Sequence, residues 1–470
     1  MKNDDKEHQK FGLAESIVTL LIMFSILGTL IIKYQLAPQI PILLVFTLLM
    51  FYGHLRGFSW DEIFDGITKG ITPGLIPIII FLMIGLLVST WLSSGTIATI
   101  MVVGFKILSV RLFLPTVFLI CGLIGITVGS AFTTISTMGI AFMGIGHVLG
   151  FPSALIAGAI VSGAFLGNNM SPLSDTSNLT TGIAKVDLYE HLKTMAQTVL
   201  PSALIALVIY VFMGNTTHTA NLQSVRHISL VLTKAFPVSV WSLLPILVLL
   251  ILAWRKVPAV PTLLSGAITA IILNVVRGSN ASVQKIGTML MNGFHASTGS
   301  KVVDKLMSGG GITNMLGSIS LIICALSLGG LLIEFGVVHV LIDSVKNFVN
   351  TPGKLILITA LSGIGINFAV GEQYLSIILP GTTFEGAFDR LHLERKYLSR
   401  TLATAGADIN ALVPWGVSGI FISGTLNVDS LKYIPFAFYP YLNPLMTIIL
   451  GFTFVTWKYH AAQAKRAGGQ

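Results

Sequence analysis

Apolar residues in this chain gather in long blocks, and the polar residues that separate them are few. A helix needs roughly 20 consecutive, mostly apolar residues to cross the hydrocarbon of a bilayer. Blocks of that kind lie at 12–32, 36–52, 71–92, 112–128, 153–167, 195–213, 237–254, 259–276, 312–334, 354–370 and 434–457. Shorter or interrupted pieces lie at 96–109, 130–149, 336–349, 374–383 and 409–426. Between Leu55 and Lys69 the pattern turns amphipathic, with Trp60, Ile63, Phe64 and Ile67 on one face. That segment fits a helix lying flat in the membrane interface, or an ordinary connecting helix. The pattern as a whole predicts an all-α polytopic membrane protein.

A polar stretch from Asn215 to Lys234 divides the chain, and the two halves resemble each other. Gly129, Asn168, Pro172, Gly182, Val186 and Asp187 recur 242 positions later as Gly371, Asn410, Pro414, Gly424, Val428 and Asp429. Gly70-Ile71-Thr72 returns as Gly311-Ile312-Thr313, and Gly95 as Gly336, 241 positions on. Glycines match by chance, but a near-constant offset that also catches Asn, Pro and a Val-Asp pair points to internal duplication. Secondary transporters are commonly built from such repeats, with ions and substrates held where broken helices of the two halves meet. The predicted organisation is an N-terminal tail, two spans and an interfacial helix (1–69), a first repeat (70–214), a linker with two spans (215–310), a second repeat (311–457) and a C-terminal tail (458–470).

Composition agrees with a lipid environment. Of 470 residues, 53% are hydrophobic and 10% charged, against about 25% charged in a soluble domain. The 47 glycines suit helices that approach closely or break. A formal charge of +9 is spread over short clusters: Lys106 with Arg111, Arg255 with Lys256, Arg390 to Arg400 and Lys458 to Arg466. That distribution fits loops kept on the cytoplasmic side against anionic headgroups, not a nucleic-acid surface. Cys121 and Cys324 both sit in apolar runs and offer neither metal spacing nor a disulfide framework. The first apolar block follows a tail of mixed charge and lacks a small-residue cleavage site, so it reads as a retained span. With no GxxxxGK[ST] loop in the sequence, ATP-driven transport is not expected. No cofactor is expected either. The predicted location is a bacterial plasma membrane, with lipid as the principal partner.

The stretch Gly167-Asn168-Asn169-Met170-Ser171-Pro172-Leu173-Ser174-Asp175-Thr176-Ser177-Asn178 directly follows an apolar block. Proline removes a backbone donor and clashes with the preceding turn, so a helix breaks here. Freed backbone at membrane depth is tolerated only against protein or a wet cavity. Hydroxyls, amide oxygens and one carboxylate form the hard oxygen set that a small cation takes. Asp175 is the first-choice ion ligand, with Ser174, Asn169, Ser171, Thr176 and Asn178 around it. A buried carboxylate holds a proton or a cation by turns, which is the core of an exchanger. The plainer reading, a solvated connector, is opposed by its lack of further charge and by its recurrence.

The second half offers Asn367, Glu372, Gln373, Ser376, Thr404, Asp408, Asn410, Trp415 and Ser418 as pathway or substrate residues. Glu372 is alternatively an interfacial acid paired with a lysine, and Glu334 fits a helix end as well as a pathway. Asp187 and Asp429 each open a helix-like segment after Val and read as N-caps. The run Thr127 to Ser136 is hydroxyl-rich, although such hydroxyls often bond only their own backbone.

GNNMSPLSDTSNL, GEQYLSIILPGTTF, YLSRTL, LVPWGVSGIFISGTLNV and YLNPL together resemble the NhaC-type Na+/H+ antiporters, a family that includes malate–lactate antiporters. The resemblance runs from about position 60 to 450. It implies an ion-transporter, elevator-type fold: two inverted repeats, each with a re-entrant hairpin and a broken helix, often as a homodimer. It also implies Na+ and H+ as the transported or coupling ions, with Na+ near Asp175. One departure stands out. After Ser-Arg-Thr-Leu the family carries Glu-Asp, a small residue and Gly, where this chain has Ala403-Thr404-Ala405-Gly406, with Asp408 four positions after Thr404. The departure opens an alternative expectation, Na+- or H+-coupled transport of a small organic anion or amino acid, with Thr404, Asn410, Trp415 and Ser418 around the solute. A membrane-embedded enzyme and a passive channel are the competing classes; the first would yield a product, and the second would move nothing uphill.

Overall fold

The computed structural model describes residues 10–107, 109–216, 222–255, 257–277, 282–345 and 349–467. The described residues are overwhelmingly helical, and one isolated bridge, Phe294 to Gly309, is the strand-like pairing among them. Nine of the helical runs are long and apolar enough to cross a membrane, and two bent pairs bring the total to 11. The protein is a multi-pass membrane protein.

The chain opens with α1 (Leu13–Gly28), which continues as a wider turn to Lys33, and α2 (Gln39–Leu55). Ser59 then caps α3 (Trp60–Ile71): its side chain accepts from Glu62 N while Glu62 reaches back to Ser59 N at 2.7 Å. A tight turn at Thr72–Gly74 carries α3 straight into α4 (Leu75–Ser93), so the two form one 34-residue run. The amphipathic segment is therefore not a separate element. Its buried face, Ile63, Gly66 and Gly70, docks on α17 (Ile312–Glu334). The backbones nearly touch: a Cβ on Gly70 would lie 2.6 Å from Gly330 Cα. Gly330→Val is expected to lever α3 off α17, costing about 1–3 kcal/mol by overpacking. The check is a lowered unfolding temperature of the purified protein, with Gly287→Val, a position with open space around it, as the neutral control.

Next come α5 (Thr96–Ile107), α6 (Phe113–Val128), α7 (Ala131–Thr134), which continues through a wider turn at Ile135–Gly139 into α8 (Ile140–Val148) as one 18-residue run in place of the re-entrant hairpin expected, α9 (Ser153–Met170), α10 (Asp175–Ala184) and the long α11 (Leu188–Thr216). α6 and α9 form the tightest helix pair, with Gly125 and Gly167 back to back across it. Without a hydrophobic drive inside lipid, such close backbone packing is what holds membrane helices together.

The linker holds α12 (Leu222–Ala235), α13 (Leu244–Trp254), α14 (Ala259–Val276), α15 (Val283–Asn292) and α16 (Lys301–Leu306). The span predicted at 237–254 is shortened: a tight turn at Val240–Leu243 leads directly into the 11 residues of α13, and the run Val240–Trp254 meets α12 at 91°, because Pro237 cannot donate into a continuing helix.

α17 begins the second half, followed by α18 (Val337–Val345), α19 (Pro352–Val370), α20 (Gln373–Arg390) and α21 (Arg395–Thr401). α21 passes through a widened π-type turn at Leu402–Ala407 and a tight turn at Asp408–Leu412, breaks, and resumes as α22 (Val417–Leu426) at 45°. Short α23 (Ser430–Tyr433), α24 (Phe438–Leu450) and α25 (Thr456–Ala467) close the chain.

The repeat offset has a conformational counterpart. Gly129 and Gly371 end α6 and α19 with φ of 75° and 78°; Gly95 and Gly336 have 77° and 79°; Lys185 and Asn427 have 56° and 54°. Left-handed backbone is rare outside glycine, so its return at matched positions is not composition. Asp187 accepts from Tyr189 N and Glu190 N, and Asp429 from Leu431 N, so both are the N-caps expected.

Candidate functional site

Both broken helices are fastened shut by an asparagine from the duplicated motif. In the first, Asn168 Nδ2 donates to Thr176 Oγ1 at 2.9 Å and its Oδ1 accepts from Ser174 Oγ at 3.1 Å. In the second, Asn410 Oδ1 accepts from Ser418 N at 2.7 Å, and Ser418 is the repeat partner of Thr176. Asn410 Nδ2 donates to Asn367 Oδ1 at 2.8 Å and Gly371 O at 3.1 Å. Asn367 Nδ2 in turn donates to Gly406 O at 2.7 Å and Ala405 O at 3.3 Å, carbonyls within the widened turn. Backbone polar groups freed in a buried helix break need partners. In the second break the Asn367 and Asn410 amides are those partners; in the first, Asn168 holds Ser174 Oγ, which accepts from Ser177 N at 3.3 Å.

Asn169 points the other way. Its Nδ2 lies 2.8 Å from both Asp408 oxygens and 2.9 Å from Tyr439 Oη. Asn443 Nδ2, on α24, donates to Asp408 Oδ2 at 2.8 Å and to Tyr439 Oη at 3.0 Å. All four side chains are fully or almost fully buried. The cage joins the break of the first half to the break of the second. No basic side chain among the described residues pairs with Asp408, and the Oδ1 of Asn443 is buried without a partner.

Asp175 occupies the first turn of α10, behind the Ser174 N-cap. It is exposed, and one oxygen accepts the Tyr374 hydroxyl from α20 while the other accepts Thr176 N at 2.9 Å. Ser171 Oγ accepts from Leu173 N at 3.2 Å, and Asn178 Nδ2 donates back to Ser174 O at 2.7 Å. The residues grouped around Asp175 by sequence thus divide: Asn169 belongs to the Asp408 cage, and Ser171, Ser174, Thr176 and Asn178 bond within their own break.

In the second half, Glu372 is buried and caps α20, accepting Leu375 N at 2.8 Å, and no lysine is paired with it among the described residues. Gln373 is buried beside it, while Ser376 and Thr404 bond the carbonyls of Glu372 and Arg400 one turn back. Trp415 leaves the group altogether. Its Nε1 donates to Phe368 O at 2.8 Å and its ring faces Phe24 of α1 along an apolar groove. Of Thr404, Asn410, Trp415 and Ser418, only Asn410 and Ser418 bond each other, through Ser418 N. Glu334, at the end of α17, lies 3.3 Å from Lys69.

Sequence reasoning did not nominate Asn443 or Tyr439. A signal was present: an amide followed by proline inside the apolar block 434–457, and intramembrane polar groups are functional by default. Among the described residues no group of three or more His, Cys, Asp or Glu side chains is placed to hold a metal ion. The ligating atoms that amides, a phenol and one carboxylate can give a cation are all hard oxygens.

The family model described as the Na+/H+ antiporter family matches residues 11–214 and 163–454. The Na+/H+ antiporter NhaC of Alkalihalophilus pseudofirmus is 39% identical over 437 residues, covering 93% of this chain and 95% of that protein. The Na+/H+ antiporter NhaC of Bacillus subtilis is 36% identical, covering 96% and 99%. The arginine/ornithine antiporter ArcD of Halobacterium salinarum is 34% identical, covering 97% and 94%.

Proposed function

The chain belongs to the Na+/H+ antiporter family, and from that membership we propose that it exchanges Na+ for H+ across the cell membrane by alternating access, with Asp408 as the group that both ions occupy in turn. The observation that carries this reading is the carboxylate itself, fully buried and without a cationic partner among the described residues. An ionised carboxylate out of water is costly unless it is compensated. A proton compensates it, and so does a bound cation, but not both together. That exclusivity is what an antiporter needs.

The cage suits both states. With N–H groups of Asn169 and Asn443 turned inward, as found, it supports the ionised carboxylate that awaits a proton. Rotating either amide by half a turn presents its Oδ1 instead, and with Asp408 and Tyr439 Oη this makes an oxygen shell for a hard monovalent cation. Asn443 Oδ1, buried without a partner, already lacks a reason to stay where it is.

We read the two halves as inverted repeats that move as an elevator. α20 of the second half rests on α10 of the first, through Tyr374 and Asp175, while Phe132 of α7 stacks on Phe421 of α22 at 4.3 Å. Asp175 and Glu372 then stand at the entrance to the pathway, in line with the expectation of Na+ near Asp175. Asp175→Asn is expected to raise the Na+ concentration for half-maximal exchange about threefold to tenfold, the worth of one partly screened charge, with the maximal rate largely kept. Loss of all exchange in that variant would move the ion site from Asp408 to Asp175.

The reading as a whole is tested in proteoliposomes with a pH-sensitive dye inside. An imposed Na+ gradient is expected to drive protons the opposite way, and an imposed pH gradient to drive Na+ uptake. Failure of both, in protein that remains folded, would rule out the proposal.

A further inference from the structure

We propose that the cavity beside α15 is a site for the phosphate headgroup of an anionic phospholipid, set in the linker and apart from the Asp408 cage. The cavity measures about 670 Å³. Its wall is built from Ser93 at the end of α4, Asn274 near the end of α14, α15 itself, and the turn that carries Phe294 and His295. Both α4 and α14 belong to membrane-spanning runs, so a cavity at their last turns lies where hydrocarbon gives way to headgroups.

The charge in and beside this cavity is of one sign. Lys285 and His295 line it, Gln284 adds an amide, and no acid lines it. Arg277, three residues beyond Asn274, donates to neutral groups: Ser94 O at 3.0 Å, and the Ser239 and Ser242 hydroxyls at 3.1 and 3.0 Å. No Asp or Glu among the described residues pairs with Lys285, His295 or Arg277. Residues 215–333 contain eight Lys and Arg and a single acid, Asp304. That acid is already committed, accepting from Thr298 N and Oγ1 at 2.6 and 2.7 Å. The linker thus gathers cations that its own acids do not neutralise.

The surroundings are apolar and bare. Val283 on α15 is 87% exposed and Val276 beside Arg277 is 77% exposed. Val240 and Trp241, between the two serines that hold Arg277, are 83% and 72% exposed. A helix that mixes lysine with exposed apolar residues lies in the plane of a bilayer surface, and tryptophan collects at headgroup level. Cations in a cavity, with bare apolar side chains around it, match a molecule with phosphate at one end and acyl chains at the other. A free anion would leave the apolar part uncovered. α15 packs on α4 and α17, so a headgroup held here ties those two spans to the bilayer surface.

The experiment is native mass spectrometry of the purified full chain, released from detergent micelles that hold phosphatidylglycerol and phosphatidylcholine in equal amounts. Preferential retention of phosphatidylglycerol is expected. Lys285→Gln removes a cation from the wall and is expected to lower that retention about fivefold, the worth of one basic residue at a membrane surface. Lys301→Gln removes a cation of the same linker that does not line the cavity, and is expected to change it little. The proposal is overturned if phosphatidylcholine is retained equally well, or if Lys301→Gln costs as much as Lys285→Gln, which would mean diffuse attraction. It is also overturned if inorganic phosphate displaces the lipid, or if a disulfide through Val283→Cys joins all chains in pairs and so places a second copy on this face.

Discussion

Asp408→Asn is expected to abolish Na+-driven proton movement while leaving a folded protein. Asparagine fills the same space and can meet Asn169, Asn443 and Tyr439 through hydrogen bonds of its own, so the fold loses little. What it lacks is the charge. At 4 Å and an effective dielectric constant near 20, a carboxylate and a monovalent cation attract by about 4 kcal/mol, which is roughly a thousandfold in affinity. The amide also has no proton to exchange. Two measurements check this: dye-reported proton movement in proteoliposomes, and Na+ binding to purified protein by calorimetry. Wild-type Na+ affinity in the variant would remove Asp408 from the ion site. Asp408→Glu provides the complementary result: the charge is kept but an added methylene must fit a fully buried cage, so exchange should fall without disappearing.

Asn410→Leu is expected to destabilise the protein by about 2–6 kcal/mol, and Asn168→Leu by distinctly less. Leucine at 410 strands two buried groups, Asn367 Oδ1 and Ser418 N, each at about 1–3 kcal/mol. Gly371 O is spared because Val417 N also donates to it at 2.8 Å. At 168 the loss is cushioned, since Ser174 Oγ and Thr176 Oγ1 already bond each other at 3.0 Å. Unfolding temperatures of the two variants in one detergent decide the matter. Equal losses would mean that the matched asparagines are equivalent in energy as well as in position. The destabilised break should also slow exchange, because the Asp408 cage is built directly on the turn that Asn367 and Asn410 hold.

Much of this was legible because it depends on local sequence. Proline at 172 and 414 stops a helix wherever it sits, glycine at 129 and 371 permits left-handed backbone wherever it sits, and Asp187 and Asp429 cap the segments they begin. The recurrence of these positions is readable for the same reason, since the same local rule returns at a fixed offset. The misreadings concern contacts between distant parts. Asn168 and Asn169 are neighbours in the chain, yet one fastens its own break and the other reaches 239 residues on to Asp408. A helix turns about 100° per residue, so adjacent side chains face different partners, and the list of polar types around Asp175 carries no record of which faces which.

By itself, then, the sequence determined a membrane solvent, helices of a length set by that solvent, the places where they break and the family to which the chain belongs. Tertiary structure alone decided that the carboxylate enclosed by protein is Asp408 and not the exposed Asp175, that α24 brings Asn443 and Tyr439 to it, and that Trp415 faces α1. It also decided that Lys285 and His295 line one cavity with no acid in its wall. The physical reason is one of range. Helix breaking and capping act within a turn, whereas burial and pairing of a charge depend on which helices lie against it, and that is settled only when the halves have folded together.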